Sequence, residues 1–167
     1  MRQVDAVVLD VDGVLTDGGF WWGPNGEEWK RFCFADVMGI SLGRKAGLVF
    51  GLISGEASPL VDRFAEKMQI EAVYKGIKDK GAALQSFSAH TGIPLSRICF
   101  AGDDVNDLSA MALAGFSAAP ANAQAAVLAA AKIHLAQRGG DGAVRELIEL
   151  VLTGNPLPET TSCPPGN

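Results

Sequence analysis

Cysteine is scarce: the 167-residue chain has three, Cys33, Cys99 and Cys163, widely separated and without zinc-ligand spacing. Such an odd, scattered set argues against a disulfide framework. No basic run is present either. Fourteen lysines and arginines against nineteen acidic residues give a net charge of −5, so no nucleic-acid partner is expected. No apolar stretch approaches the roughly 20 residues that span a bilayer, and Met1-Arg2-Gln3-Val4-Asp5 does not read as a secretory leader. The two histidines, His90 and His134, have no ligand partner at useful spacing and read as structural. No internal repeat is apparent. With 48% hydrophobic and 20% charged residues, the chain has the balance of a packed domain that buries roughly 70% of its unfolded surface. The expectation is one soluble, cytoplasmic domain with no membrane partner.

Apolar segments alternate with helical-period segments almost from end to end. Ala6 to Leu9 is a short β-branched run, read as a buried strand. Leu48 to Ile53, Ala72 to Tyr74, Ile98 to Ala101 and Phe116 to Ala118 are further strand candidates. Helices are expected over Val37 to Ala46, Pro59 to Met68, Lys80 to Thr91, Asp107 to Ala114, Ala123 to Ala131 and Ala143 to Leu152. This alternation predicts an α/β fold, a doubly wound parallel sheet covered on both faces. In such sheets chemistry lies outside the carboxyl ends of the strands. One segment departs from the rhythm. Gly18 to Phe34 holds the turn cluster Gly23-Pro24-Asn25-Gly26 between aromatic stretches, and all three tryptophans. It reads as a β-hairpin. The domain is expected to span residues 1–152, and the proline-rich residues 153–167 to be a mobile tail.

Carboxylates gather at the ends of two of these strands. Asp10 and Asp12 follow the first, in Leu9-Asp10-Val11-Asp12-Gly13-Val14-Leu15-Thr16. Two residues apart in extended chain, their side chains can point the same way. Gly102-Asp103-Asp104-Val105-Asn106-Asp107 follows a later strand in the same fashion. If the two strands are neighbours, five carboxylates converge. Two unit charges 4 Å apart repel by ~4 kcal/mol at an effective dielectric near 20, so a cation is needed. Hard oxygen donors without nitrogen or sulfur suit Mg²⁺. The plainer reading, that Asp and Gly are turn formers, serves for either cluster alone. The first pattern fixes four positions, expected by chance on the order of once per 10⁵ positions, and the pair together leaves that reading minor.

The motif series resembles the haloacid dehalogenase superfamily of phosphotransferases. The resemblance implies a Rossmann-like core in which Asp10 is the nucleophile and becomes an aspartyl phosphate. It implies that Asp12 is the general acid and base, that Ser54 (in Leu52-Ile53-Ser54-Gly55) binds phosphate, and that Lys80 neutralises charge, with Lys78 the rival for that role. Metal ligands would be Asp10 and Asp103 through their side chains and Asp12 through its backbone carbonyl, with Asp104 and Asp107 as further ligands or supports. Alone, Ser54 is an ordinary turn residue and Lys80 an ordinary helix lysine; their place in the series raises them.

Neither the interval from Gly13 to Ile53 nor that from Gly55 to Asp79 has room for a cap domain. The chain is similar to the capless sugar-phosphate phosphatases that act on 2-keto-3-deoxy-octulosonate 8-phosphate and on nonulosonate 9-phosphates. Shared blocks are Asp12 to Gly18, Gly26-Glu27-Glu28-Trp29-Lys30, and Arg138 to Glu146. The resemblance implies a homotetramer, with the tryptophan hairpin as a flap packing across subunits. Glu56, with Arg63 and Lys67 downstream, is similar to the nonulosonate branch, where these residues would meet sugar hydroxyls and a substrate carboxylate. Alternatively Glu56 caps the following helix. Arg138 is either a further carboxylate ligand or a loop charge. The expected activity is therefore that of a Mg²⁺-dependent phosphatase for a nonulosonate 9-phosphate (KDN- or sialic-acid-type). The alternatives are the octulosonate 8-phosphate phosphatase and a non-catalytic tetramerisation module of a sugar-nucleotide synthetase system.

Overall fold

The computed structural model describes residues 3–153; the expected tail lies, except for Thr153, outside the described residues. Six parallel strands form the main sheet: β1 (Ala6–Leu9), β4 (Val49–Ile53), β5 (Ala72–Tyr74), β6 (Ile98–Ala101), β7 (Phe116–Ala119) and β8 (Ile133–His134). A two-stranded antiparallel hairpin, β2 (Trp21–Trp22) and β3 (Glu28–Trp29), stands apart from it. The order β5-β4-β1-β6-β7-β8 puts β1 at the centre, parallel to β4 on one side and β6 on the other. The chain thus builds outward from β1 in one direction and then crosses over to build in the other. That switch point opens a crevice at the carboxyl end of β1.

Side-chain alternation along the strands decides which layer each residue enters. Val7 and Leu9 of β1, with Cys99 and Ala101 of β6, face a core completed by α1 (Phe34–Lys45), α2 (Pro59–Met68) and α6 (Ala143–Thr153). Ala6, Val8, Ile98 and Phe100 face the opposite core, completed by α3 (Lys80–Thr91), α4 (Leu108–Leu113) and α5 (Ala125–Ala130). All eight are fully buried, which is why these strands read as continuous apolar runs rather than alternating ones. Glycine inside β4 has a packing reason: a Cβ on Gly51 would meet the Phe87 ring at 2.7 Å. Phe87, with no exposed surface, contributes about 1.5–3 kcal/mol by burial.

Helix ends follow local chemistry. Ser58 caps α2, its hydroxyl accepting from the Leu60 N–H with Pro59 in the first turn. Asp79 caps α3 in the same way, accepting from the Ala82 N–H at 3.1 Å. The start of α6 is capped from outside: Asp36, buried in the first turn of α1, accepts from the Arg145 N–H at 2.8 Å. Burial pushes the Asp36 carboxyl upward, against the pull of backbone N–H groups at this helix end. The contact fixes α1 against α6.

The expected elements are all present, five of them (β1, β5, β6, α2 and α3) with the expected bounds and the others with shifted ends. α1 starts at Phe34 rather than Val37, and the hairpin pairs only Trp21 with Trp29 and Trp22 with Glu28. A short 3₁₀ turn, Val105–Asp107, precedes α4. Among the described residues, only the hairpin and α1 separate β1 from β4, so no cap domain is inserted there. No helix among them is long and apolar enough to cross a membrane.

Candidate active site

Asp10 and Asp12 leave the carboxyl end of β1, and Asp103 to Asp107 leave the carboxyl end of β6. Because β1 and β6 pair in register, Leu9 opposite Ala101, the two acidic clusters arrive at the same level. The turn between Asp12 and Val14 needs glycine, since Gly13 has φ +86°. Single carboxylate oxygens of Asp10, Asp103 and Asp107 lie within 4.8 Å of one another. A cleft of about 250 Å³ opens over Asp10 and Asp103, lined also by Asp12, Gly18, Gly55, Glu56, Lys80, Asp104 and Asn106.

Lys80 is the cation at its floor. It opens α3, a position where the helix dipole disfavours positive charge. Its ammonium is 2.8 Å from Asp10 and 2.6 Å from Asp107, and its side chain is 1% exposed. Burial alone would lower its pKa, but the Asp10 and Asp107 carboxylates hold it above the ordinary lysine value. Lys78, the rival, is exposed. Asp107 is the hub of the β6 loop. One oxygen accepts from Lys80 and the other from the Asp103 and Asp104 N–H groups at 2.9 and 3.2 Å. Asp104 is exposed and caps the 3₁₀ turn.

Crowded acids with one lysine hold protons tightly. Burial, then the neighbouring Asp107 charge, pushes Asp10 up to about 8, with Lys80 acting in the opposite direction. Burial, then Asp107 and Asp104, pushes Asp103 up to about 7. This donor set is what a hard divalent cation fits: convergent carboxylate oxygens, with no sulfur or imidazole among them.

Other expected residues fall into place unevenly. Ser54 is buried at the end of β4, and its hydroxyl accepts from the Glu56 N–H at 3.1 Å. Glu56 borders the acidic cleft and does not cap α2, a role taken by Ser58. Glu56 also lines an adjoining cavity of about 210 Å³ with Phe20, Trp22, Glu28 and Lys30. Arg63 and Lys67 are not brought to the carboxylates. They are exposed on α2 beside a separate groove of about 300 Å³ with an apolar lining of Phe32, Phe34, Val37, Leu60 and Phe64. Arg138 is exposed in the loop before α6.

Two site residues escaped sequence reasoning. Lys30, returning from the hairpin, places its ammonium 2.7 Å from Asp12 Oδ1. Its only signal was its place in the Gly26–Lys30 block. Asn122, after β7, donates to the Gly13 carbonyl at 2.9 Å and accepts from the Gly139 N–H at 2.6 Å. It thereby clamps the Asp12–Gly13 turn to the glycine loop ahead of α6. No local pattern marks it.

Comparison with known proteins agrees with this geometry. Residues 57–147 match the family model of haloacid dehalogenase-like hydrolases. The chain belongs to that family, and within it to the phosphoric monoester hydrolases built without a cap domain. It is 34% identical over 152 residues to the 3-deoxy-D-manno-octulosonate 8-phosphate phosphatase of Haemophilus influenzae, covering 91% of this chain and 84% of that one. The fold superposes with a TM-score of 0.89 and 34% identity on the Moraxella catarrhalis 3-deoxy-D-manno-octulosonate 8-phosphate phosphatase, solved with magnesium, phosphate and KDO, over 92% of this chain and 88% of that one. The cobalt-bound Haemophilus influenzae enzyme also gives 0.89, at 33% identity, covering 92% of this chain and 90% of that one.

Proposed function

We propose that the protein is a Mg²⁺-dependent phosphatase that hydrolyses the phosphate monoester of a 2-keto-3-deoxy sugar acid, with 3-deoxy-D-manno-octulosonate 8-phosphate as substrate. The observation that carries the chemistry is the meeting of Asp10 and Asp12 with Asp103 in one cleft, with Lys80 buried between Asp10 and Asp107. The choice of the eight-carbon acid rests on the relatives, which turns the sequence expectation of a nine-carbon acid into the second reading.

In this reading an Asp10 carboxylate oxygen attacks phosphorus as the bond from phosphorus to the sugar oxygen breaks, giving an aspartyl phosphate. Asp12 delivers a proton to the departing alkoxide. It then takes a proton from the water that attacks the aspartyl phosphate, releasing inorganic phosphate and regenerating Asp10. Lys80 offsets the charge that accumulates on Asp10 and the phosphoryl oxygens, and Ser54 receives a phosphate oxygen. Asp10, Asp103 and the Asp12 carbonyl would hold Mg²⁺, with Asp107 and Asp104 as supports. When bound, the ion neutralises phosphoryl charge and aligns the displacement.

The nine-carbon reading keeps one specific support: Glu56 borders both the acidic cleft and the adjoining cavity, where it can accept from sugar hydroxyls. Values of kcat/KM for the two acids, measured side by side with Mg²⁺, decide between them. An advantage for the octulosonate supports the proposal, and one for a nonulosonate transfers it to the second reading.

The assembly we infer is a homotetramer in which each hairpin covers a neighbouring site. Trp21, Trp22 and Trp29 are 56%, 72% and 53% exposed, an apolar surface of the kind that marks an interaction site. Arg63, Lys67 and Arg138, which do not line the acidic cleft of their own chain, would then meet the substrate's acid group only across a subunit boundary.

A further inference from the structure

The Lys30 side chain is 3% exposed although it returns from a hairpin whose three tryptophans are each more than half exposed. Burying an ammonium is unfavourable unless it is paired and hydrogen-bonded. Lys30 is paired twice, at 2.7 Å from Asp12 Oδ1 and 3.6 Å from Glu28 Oε1. Glu28 is held in turn, accepting from the Ser58 hydroxyl at 3.1 Å and the Trp22 indole N–H at 3.4 Å. Ser58 is the residue that caps α2. A continuous polar chain therefore runs from the amino end of α2 through Glu28 and Lys30 to Asp12. Asp12 stands on the turn completed by Gly13 at φ +86°, and Lys30 is the cation paired with its carboxylate.

We propose that Lys30 is a positioning residue: it fixes the Asp12 carboxylate for proton transfer, and through Glu28 makes that placement depend on the hairpin being docked. The pair engages Oδ1, so Oδ2 is the oxygen that hands over the proton. The inference rests on the reading that Asp12 protonates the leaving alcohol. It assigns to the hairpin a part in the chemistry of its own subunit, separate from any contact with a neighbour.

Leaving-group dependence tests it. A sugar alkoxide needs a proton to depart, whereas p-nitrophenolate leaves as the anion. Single-turnover release of the alcohol is measured with 3-deoxy-D-manno-octulosonate 8-phosphate (or its nine-carbon counterpart, if that is the better substrate) and with p-nitrophenyl phosphate. Lys30→Met should slow sugar release about 100-fold, the scale of positioned general acid catalysis, and leave the p-nitrophenolate burst close to wild type. Lys30→Arg, which keeps the ion pair, should retain most of the sugar rate. Methionine matches the lysine stem in shape, and Asp12 and Glu28, 30% and 32% exposed, can be rehydrated, so the variant should fold. If it does not, Glu28→Gln removes one anchor only and should show the same selectivity at smaller amplitude. Equal slowing of both esters in these variants, with selective slowing in Asp12→Asn, would overturn the positioning role alone. Equal slowing in Asp12→Asn itself would overturn the reading of Asp12 on which it rests.

Discussion

Gly13 and Asp103 touch across the two acidic loops: a methyl group placed on Gly13 would come within 1.9 Å of Asp103 Oδ2. The turn that carries Asp12 is therefore packed directly against a carboxylate assigned to the metal. Gly13→Ala meets both that contact and the cost of φ +86°, about 1–2 kcal/mol for a residue with a Cβ in the left-handed region. Mg²⁺ affinity and turnover should both fall by at least about tenfold, the lower range for disturbed metal surroundings. Titration calorimetry with Mg²⁺ checks the first, and unchanged affinity would show that the loops can separate freely.

Among the described residues Lys80 is the only cation paired with Asp10 and Asp107, and all three side chains are nearly inaccessible to water. Lys80→Met should lower the urea-unfolding free energy of metal-free protein by about 3–5 kcal/mol, the cost of leaving a buried partner uncompensated. Saturating Mg²⁺ should recover part of the loss, because it supplies positive charge to the same carboxylates. Equal stability of the variant and the parent without metal would show that the Asp10 and Asp107 carboxyls do not depend on Lys80 for compensation.

The protons held by Asp10 and Asp103 give a pH dependence with a definite sign. Their folded values, about 8 and about 7, lie above the ordinary 3.8. The folded state then binds more protons than the unfolded one between about pH 4 and 8, and metal-free stability falls as pH rises through that window. Mg²⁺ displaces those protons, so its stabilising effect grows with pH. The Tm difference with and without Mg²⁺ should be larger at pH 8 than at pH 6. A difference independent of pH would show that both carboxyls are already ionised at pH 6.

Charge on the hairpin should break the proposed homotetramer. Trp21 and Trp22 lie next to each other on β2 with both rings exposed, and each buried in a contact contributes about 1.5–3 kcal/mol. Trp21→Glu with Trp22→Glu should yield smaller species in sedimentation velocity, and kcat/KM for the sugar acid should drop. Wild-type protein that sediments as a fully active monomer would remove the tetramer.

Much of this architecture was legible in the sequence because β1, β4 and β6 are buried on both faces and appear as unbroken apolar runs, while α2 shows a clean helical period. The ends were less so. Phe34 belongs to an aromatic stretch that looks like hairpin, yet it opens α1, and the alanines around α5 mark no boundary. The carboxylates could be read because the spacing within each cluster is local and both clusters follow strands. Lys30 and Asn122 could not, since their partners lie 18 and 109 positions away. Arg63 and Lys67 were expected to meet the substrate, but helical periodicity cannot tell which cavity their face of α2 borders. The packing of Phe32 and Phe34 beside α2 determines that it is the apolar groove.

The nucleophile is the claim on which the rest depends. Asp10→Asn keeps the shape of the side chain and removes its nucleophilic oxygen, so phosphate release from 3-deoxy-D-manno-octulosonate 8-phosphate with saturating Mg²⁺ should fall to background while the variant remains folded by circular dichroism. Substantial phosphate release by the folded Asp10→Asn protein would contradict covalent catalysis at this residue.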